Sequence, residues 1–296
     1  MPEYQIRCFL PLAESRGDEQ LRFTVDGRTK GVTLKIGSLR KNLVTSLPET
    51  VIDMIEIAAY VYAIDSSVSR GGPVDQQMAK KWHRQFFVEL PVRDAAFWNA
   101  PELKKELEET LFFLSNDRFQ FTFTQMEAEH PERERYFDFG KENAWSPDTV
   151  MLFSGGLDSF AGALEEIIER NNKVALISHF SATKISPVQR NLQKAMAEKL
   201  GQHSLMYFPM QVQLKGGTNV EGTHRTRSFL FAALGMATAT AFGKEAISFY
   251  ENGVVSLNLP PVRNVLGTRA TRTTHPQTLR RFERLFSRIF GKPHCV

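Results

Sequence analysis

Cysteine is scarce: Cys8 and Cys295 are the only two, and they stand near opposite ends of 296 residues. That excludes a disulfide scaffold and any zinc site built from three or four cysteines of this chain. Long apolar runs are missing too, since none approaches the ~20 residues that cross a bilayer. The amino end, MPEYQIRCFLPLAESRGDEQ, lacks the basic start and cleavage pattern of a signal peptide. A cytoplasmic protein with no membrane partner is therefore expected. Neither charge sign dominates: 37 basic against 33 acidic residues leave +4, a weak hint of an anionic ligand. Direct binding of nucleic acid is not expected from so small an excess. No internal repeat is present.

What is present is ordinary globular material, 42% apolar and 24% charged. At ~100 to 200 residues per domain, the length suggests two domains. Residues 21–36 place two β-branched runs around Asp26 and Gly27, a hairpin signal. Val51, Ile52, Ile55, Ala58, Ala59 and Tyr62 recur at helical spacing. Trp82 to Val92 predicts a strand and Pro101 to Leu114 a helix opened by proline, while Phe119, Phe121 and Phe123 alternate with polar residues as in a strand. Residues 1–126 are thus expected to form an amino-terminal α+β domain for recognition or docking. Residues 127–148, charged and without apolar periodicity, are expected to link it to a second domain over 149–296.

That second part alternates strand and helix. Val150 to Phe153 predicts a strand, and Phe160, Ala163, Leu164, Ile167 and Ile168 one helical face. Val174 to Phe180 predicts the next strand. A helix capped by Ser186 follows, lined by Val188, Leu192, Met196 and Leu200 and stopped by Gly201. Leu205 to Val212 predicts a third strand, Phe229 to Phe242 an almost wholly apolar helix, and Ala246 to Tyr250 a fourth strand. Such alternation implies an α/β fold with a doubly wound parallel sheet.

Between the first of these strands and its helix lie Ser154, Gly155, Gly156, Leu157, Asp158 and Ser159. Two glycines let backbone approach an anion, two serines offer hydroxyl donors, and the helix start adds oriented N–H groups. Asp158 would repel a bare phosphate, so it makes sense as a Mg²⁺ ligand that holds the cation against phosphate oxygens. The simpler alternative is a strand-to-helix turn with Asp158 as a helix cap. The loop has neither the lysine of the Walker signature nor the third glycine of the dinucleotide fingerprint.

SGGLDS resembles the pyrophosphate loop (PP-loop) of the N-type ATP pyrophosphatases, whose fold is that of the adenine nucleotide alpha-hydrolases. HRTRSFLFAALGMATATAFG (224–243) and AISFYENGVVSLNLP (246–260) resemble the corresponding block of the QueC family, the 7-cyano-7-deazaguanine synthases. DMIEIAAYVYAIDSSVSRGG (53–72) and FFVELPVRDAAFW (86–98) resemble the amino-terminal region of QueC-like proteins from bacterial antiphage operons, the QatC type. The resemblance implies a ligase that uses ATP and Mg²⁺ to adenylate a 7-deazaguanine carboxylate, releasing AMP and pyrophosphate. Amide or nitrile formation, or transfer to a protein amine, would follow, with other proteins of the same operon as partners. It also implies zinc, for which this chain has no cysteine cluster. His294 and Cys295 are not read as a ligand pair, and the end of the chain is expected to be disordered.

The candidate residues follow. Ser154, Gly155, Gly156, Leu157, Asp158 and Ser159 would cradle pyrophosphate. Arg225 and Arg227 precede the long helix and suit bidentate oxyanion contact. By resemblance, Ser178, His179 and Phe180 would meet the rest of ATP. Glu251 and Asn252, after the fourth strand, would read a purine-like edge or serve as caps. Asp158, Ser159 and Arg227 are the catalytic candidates. Residues 278–290 carry Leu279, Phe282, Leu285, Phe286 and Ile289 on one face, expected to dock on the domain, with arginines on a solvated opposite face. Two other classes stay open: a tRNA-modifying enzyme with the same loop, and a nucleotide-binding subunit without turnover.

Overall fold

The computed structural model describes residues 1–10, 12–13, 18–35, 47–70, 83–126, 145–180, 185–215, 220–257 and 272–296. Strand β1 (Glu3–Cys8) leads through β2 (Leu12–Ala13) to the hairpin of β3 (Asp18–Val25) and β4 (Arg28–Lys35). Asp26 at φ 47° and Gly27 at φ 81° turn it in two residues, the geometry that matches the twist of paired strands. Helix α1 (Glu49–Ser67) is buried from Val51 to its end, which fits its lack of a polar face. Then come β5 (Gln85–Val92), α2 (Ala95–Trp98), α3 (Pro101–Ser115) and β6 (Arg118–Gln125). Proline opens α3 and Asn116 closes it in the left-handed region.

The second half contributes β7 (Thr149–Leu152), α4 (Leu157–Leu164), β8 (Val174–Phe180), α5 (Ile185–Leu200) and β9 (Leu205–Lys215). The long apolar helix α6 (Arg227–Ala241), the short α7 (Gly253–Ser256) and α8 (Pro276–Phe290) complete the chain. The end of α4 widens into a π-helical turn at Glu165–Glu169.

The strands form one sheet in the order β6-β5-β1-β3-β4-β9-β8-β7, with β2 beside β3. Three parallel strands stand at each side, and the antiparallel β3–β4 hairpin joins them. Its β4 pairs with β9 from Gly31↔Lys215 to Lys35↔Gln211. The sheet therefore runs through both halves of the chain, and most of the expected linker, 127–144, lies outside the described residues. The α/β class holds, with helices flanking the sheet; the sheet is mixed rather than wholly parallel because the hairpin is inserted.

Around β7, β8 and β9 both faces are covered. Val150, Leu152, Ala175 and Ile177 pack into the core that contains α1, α3, α6 and α8. Met151, Phe153, Val174 and Leu176, half a pleat away, pack with Ala163 and Ile167 after β7 and Met196 of α5. Strand alternation explains the division. Helix α6 lies so close to β7 that a Cβ at Gly235 would stand 2.7 Å from Leu152 Cδ2.

Several sequence expectations need correction. Ala246–Tyr250 is no strand: it makes single bridges, Met151↔Ser248 and Ala246↔Cys295, because only two residues reach ladder register. Ile168 and Val188 are 59% and 51% exposed, outside the buried stripes assigned to them. The π turn rotates Ile168 outward, and α5 starts at Ile185, ahead of the expected cap at Ser186. The end of the chain is ordered: Cys295 pairs with Glu245 and Ile247 through backbone, and buried His294 lies 4.6 Å from the Phe290 ring. The arginines of α8 are not a free solvated face. Arg281, Arg284 and Arg288 reach Glu109, Glu106 and Glu102 of α3 at 3.7, 3.5 and 3.5 Å. The apolar stripe does dock, with Phe282, Leu285 and Phe286 fully buried. Among the described residues no helix is long and apolar enough to cross a membrane.

Candidate functional site

The SGGLDS loop leaves the carboxyl end of β7, the side of an α/β sheet on which ligands bind. Gly155 has φ +80°, a region that L side chains rarely adopt, and a Cβ there would stand 2.8 Å from Gln189 Cγ. Buried Gln189 of α5 closes over it and donates from Nε2 to the Ser154 carbonyl at 3.0 Å. Ser154 Oγ accepts from the Gly156 amide at 3.3 Å and lies 3.1 Å from Ser159 Oγ. Ser159 Oγ also donates to the Gly156 carbonyl at 3.0 Å. The two serines thus shape the loop from within, while Leu157 and Asp158 are exposed at the start of α4. No side chain caps the start of α4, so its first-turn amides are left at the positive end of the helix.

Glu251 follows Tyr250, whose side chain is anchored on the α4 side. The Tyr250 ring occupies the space over α4 where a Cβ at Gly162 would come within 2.1 Å of Tyr250 Cγ. Its hydroxyl donates to Glu166 Oε1 at 2.5 Å, and burial followed by that carboxylate pushes the phenol up to about 12. Glu166 also accepts from Thr149 Oγ1 and Asn172 Nδ2, which fixes the whole anchor. Glu251 then stands within electrostatic reach of Asp158 and Arg227. Crowding by the protein raises its carboxyl, Asp158 raises it further, and Arg227 opposes both. Asn252 uses Oδ1 to cap α7, accepting from Val254 and Val255 amides at 3.0 and 3.3 Å. Its capping role is thereby realised, and only its Nδ2 group remains for a ligand.

Arg227 opens α6 with no acidic residue in the first turn, so its charge adds to the helix's positive end. Arg225 is half-buried; burial and then the neighbouring Arg70 lower its pKa, while Asp117, Asp65 and Glu221 oppose the shift. His179 is fully buried. Burial first, then the Arg227 charge, pushes its imidazole down to about 3, so it is neutral. Its Nε2 lies 3.4 Å from the Val212 carbonyl, and Nδ1 has no hydrogen-bond partner among the described residues. Ser178 Oγ is engaged, donating to the Phe153 carbonyl at 2.6 Å. Phe180 ends β8, and its side chain lies outside the described residues.

The structure therefore places the loop and Asp158 after β7 and Arg227 at the start of α6, with Glu251 within electrostatic reach of Asp158 and Arg227, and His179 within reach of Arg227. Ser178 stays in the sheet as a β7–β8 tie. Gln189, Gly162 and Tyr250 were missed from the sequence; an isolated glycine inside the helical pattern was the one available sign of close approach at 162.

Mg²⁺ is usually held by one or two carboxylates plus phosphate oxygens, and Asp158, exposed at the start of α4, is one carboxylate available for that. Among the described residues no group of three or more His, Cys, Asp or Glu could hold a metal, so zinc finds no protein cage there. In comparisons with family models, curated proteins and solved structures, nothing matches this chain.

Proposed function

We propose that the chain is an ATP-dependent ligase of the QueC-like type, in which SGGLDS receives pyrophosphate and the Glu251 side receives a carboxylate acceptor. The observation that carries this reading is the loop itself: Gly155 turns at φ +80° after β7 and leads straight into α4, with Glu251 within electrostatic reach of Asp158 and of Arg227 at the start of α6. Amide donors and Arg227 would neutralise the charge that develops on the phosphates. Asp158 would hold Mg²⁺, which when bound offsets phosphate charge. A carboxylate oxygen of the acceptor attacks the α-phosphorus, the bond to the bridging oxygen breaks, and pyrophosphate departs. An amine then attacks the activated carbonyl carbon, loses a proton and expels AMP. A 7-deazaguanine carboxylate suits the polar mouth formed by Glu251 and the Asn252 amide, which can pair with ring donors and a carbonyl.

Isotope transfer tests the acceptor. With the carboxylate labelled by ¹⁸O and ammonia supplied, one labelled oxygen should appear in AMP. AMP that forms without label would reject carboxylate activation.

A further inference from the structure

Residues 220–226, which deliver Arg225 and Arg227, are fastened to the first half of the chain rather than to the sheet beside them. The amides of Val220 and Glu221 donate to the Ser66 carbonyl at 3.2 and 3.3 Å. Glu221 Oε2 accepts from the Arg70 amide at 2.7 Å, and Arg225 donates to the Ser115 carbonyl at 3.4 Å. His224, at φ 43°, lies over the Tyr62 ring with 5.8 Å between centroids and 3.3 Å from Ser66 Oγ. Thr226 is bound twice: its amide and its hydroxyl both donate to Asp65 Oδ2, at 3.1 and 3.0 Å.

Asp65 is itself immobilised. It sits at the carboxyl end of α1 with no exposed surface, in a quartet with Arg70, Arg84 and Asp117. Burial would raise its carboxyl, but Arg84, Arg70 and the Thr226 amide outweigh that and hold it below the usual range. Two acids and two guanidinium groups balance in charge, and Arg84 spends further donors on the Asp65 and Val68 carbonyls. Such a quartet is expensive to desolvate and gives little net stability over an apolar core, so its value lies in fixing geometry. Asp65 reaches the second half through Thr226, the residue between the two arginines, while the Arg70 amide reaches Glu221.

We infer that Asp65 is a positioning residue for phosphate binding: through Thr226 it sets where Arg225 and Arg227 stand, which makes the first half an integral part of the nucleotide site. This rests on the reading of SGGLDS as a nucleotide loop. Asp65→Asn is a poor probe because it strands two buried guanidinium groups, whereas Thr226→Val removes one hydroxyl donor and keeps the amide. Thr238→Val, which deletes a buried hydroxyl on the same helix away from the site, serves as a control for lost stability. The experiment is titration of the full chain with Mg·ATP by calorimetry, with thermal melts alongside.

Thr226→Val should bind at least tenfold more weakly than wild type, Thr226→Ser should return to within about twofold, and Thr238→Val should bind as wild type does. Equal affinity for wild type and Thr226→Val overturns the positioning role and leaves the nucleotide reading standing. Weakening shared by Thr238→Val makes the effect general destabilisation and also overturns it. A wild-type chain that takes up no Mg·ATP removes the nucleotide reading, and this inference with it.

Discussion

At the scale of single residues, exposure separates chemistry from construction. Asp158 is exposed at the start of α4, so it adds little to the core, and the proposed reading makes it the Mg²⁺ ligand. Asp158→Ala should leave the melting temperature unchanged within a degree or two and abolish AMP formation. Normal turnover at ordinary Mg²⁺ would leave Asp158 no more than an acidic residue in the first turn of α4, where Gly156 rather than Asp158 holds the N-cap position and no side chain caps the helix. Gly162 is the opposite case: a methyl group there meets the Tyr250 ring at 2.1 Å and must push it away from Glu166. Gly162→Ala should cost ~1 to 3 kcal/mol by overpacking, despite the helix propensity it gains, and should weaken acceptor binding by displacing Glu251. Unfolding in urea measures the first effect and titration with the acceptor the second; a more stable variant would contradict this packing. Asp158 was legible in the sequence because a loop between strand and helix announces itself. Tyr250 was not, since a tyrosine's contact with a glycine 88 positions earlier leaves no periodic trace.

At the scale of elements, the runs with strong period came through and the ends did not. The alternation of Phe119, Phe121 and Phe123 became β6, and the apolar block after Arg227 became α6, because burial of one face decides both. Ala246–Tyr250 looked the same as a strand but pairs by single bridges, since its neighbour on the far side is only the bridge at Cys295. The α8 arginines read as solvated because their acidic partners sit on α3, some 180 residues earlier. These exposed ion pairs contribute roughly 0 to 1 kcal/mol each, far less than the buried Phe282, Leu285 and Phe286 beneath them.

Strand β8 carries a pH signature. His179 is held neutral with a pKa of about 3, whereas an unfolded histidine titrates near ~6.5. Between those values the unfolded chain binds a proton that the folded one refuses, so this residue lowers stability as pH falls. The slope is up to ~1.4 kcal/mol per pH unit. Urea unfolding of wild type and His179→Leu between pH 7 and pH 4.5 should show the steeper loss in wild type. Parallel curves would mean that His179 is not held neutral.

At the scale of the whole molecule, one sheet runs through both halves of the chain, and the turn before α6 is fastened to the first half. The β4–β9 pairing and the Asp65–Thr226 contacts cross what the sequence presented as a boundary at 127–148. Composition marks that boundary clearly, but long-range strand pairing is not a property of any local window. The same limit applies to Asp65, Arg70, Arg84 and Asp117, which look like scattered surface charges until the fold gathers them.

The central claim is that this architecture directs attack to the α-phosphorus of ATP. It is tested most directly by incubating the full chain with ATP labelled in the α-phosphate, Mg²⁺ and a 7-deazaguanine carboxylate, and separating the nucleotides by chromatography. The account predicts labelled AMP, with pyrophosphate in equal amount and dependence on the carboxylate. Labelled ADP as the sole product, with inorganic phosphate, would contradict it.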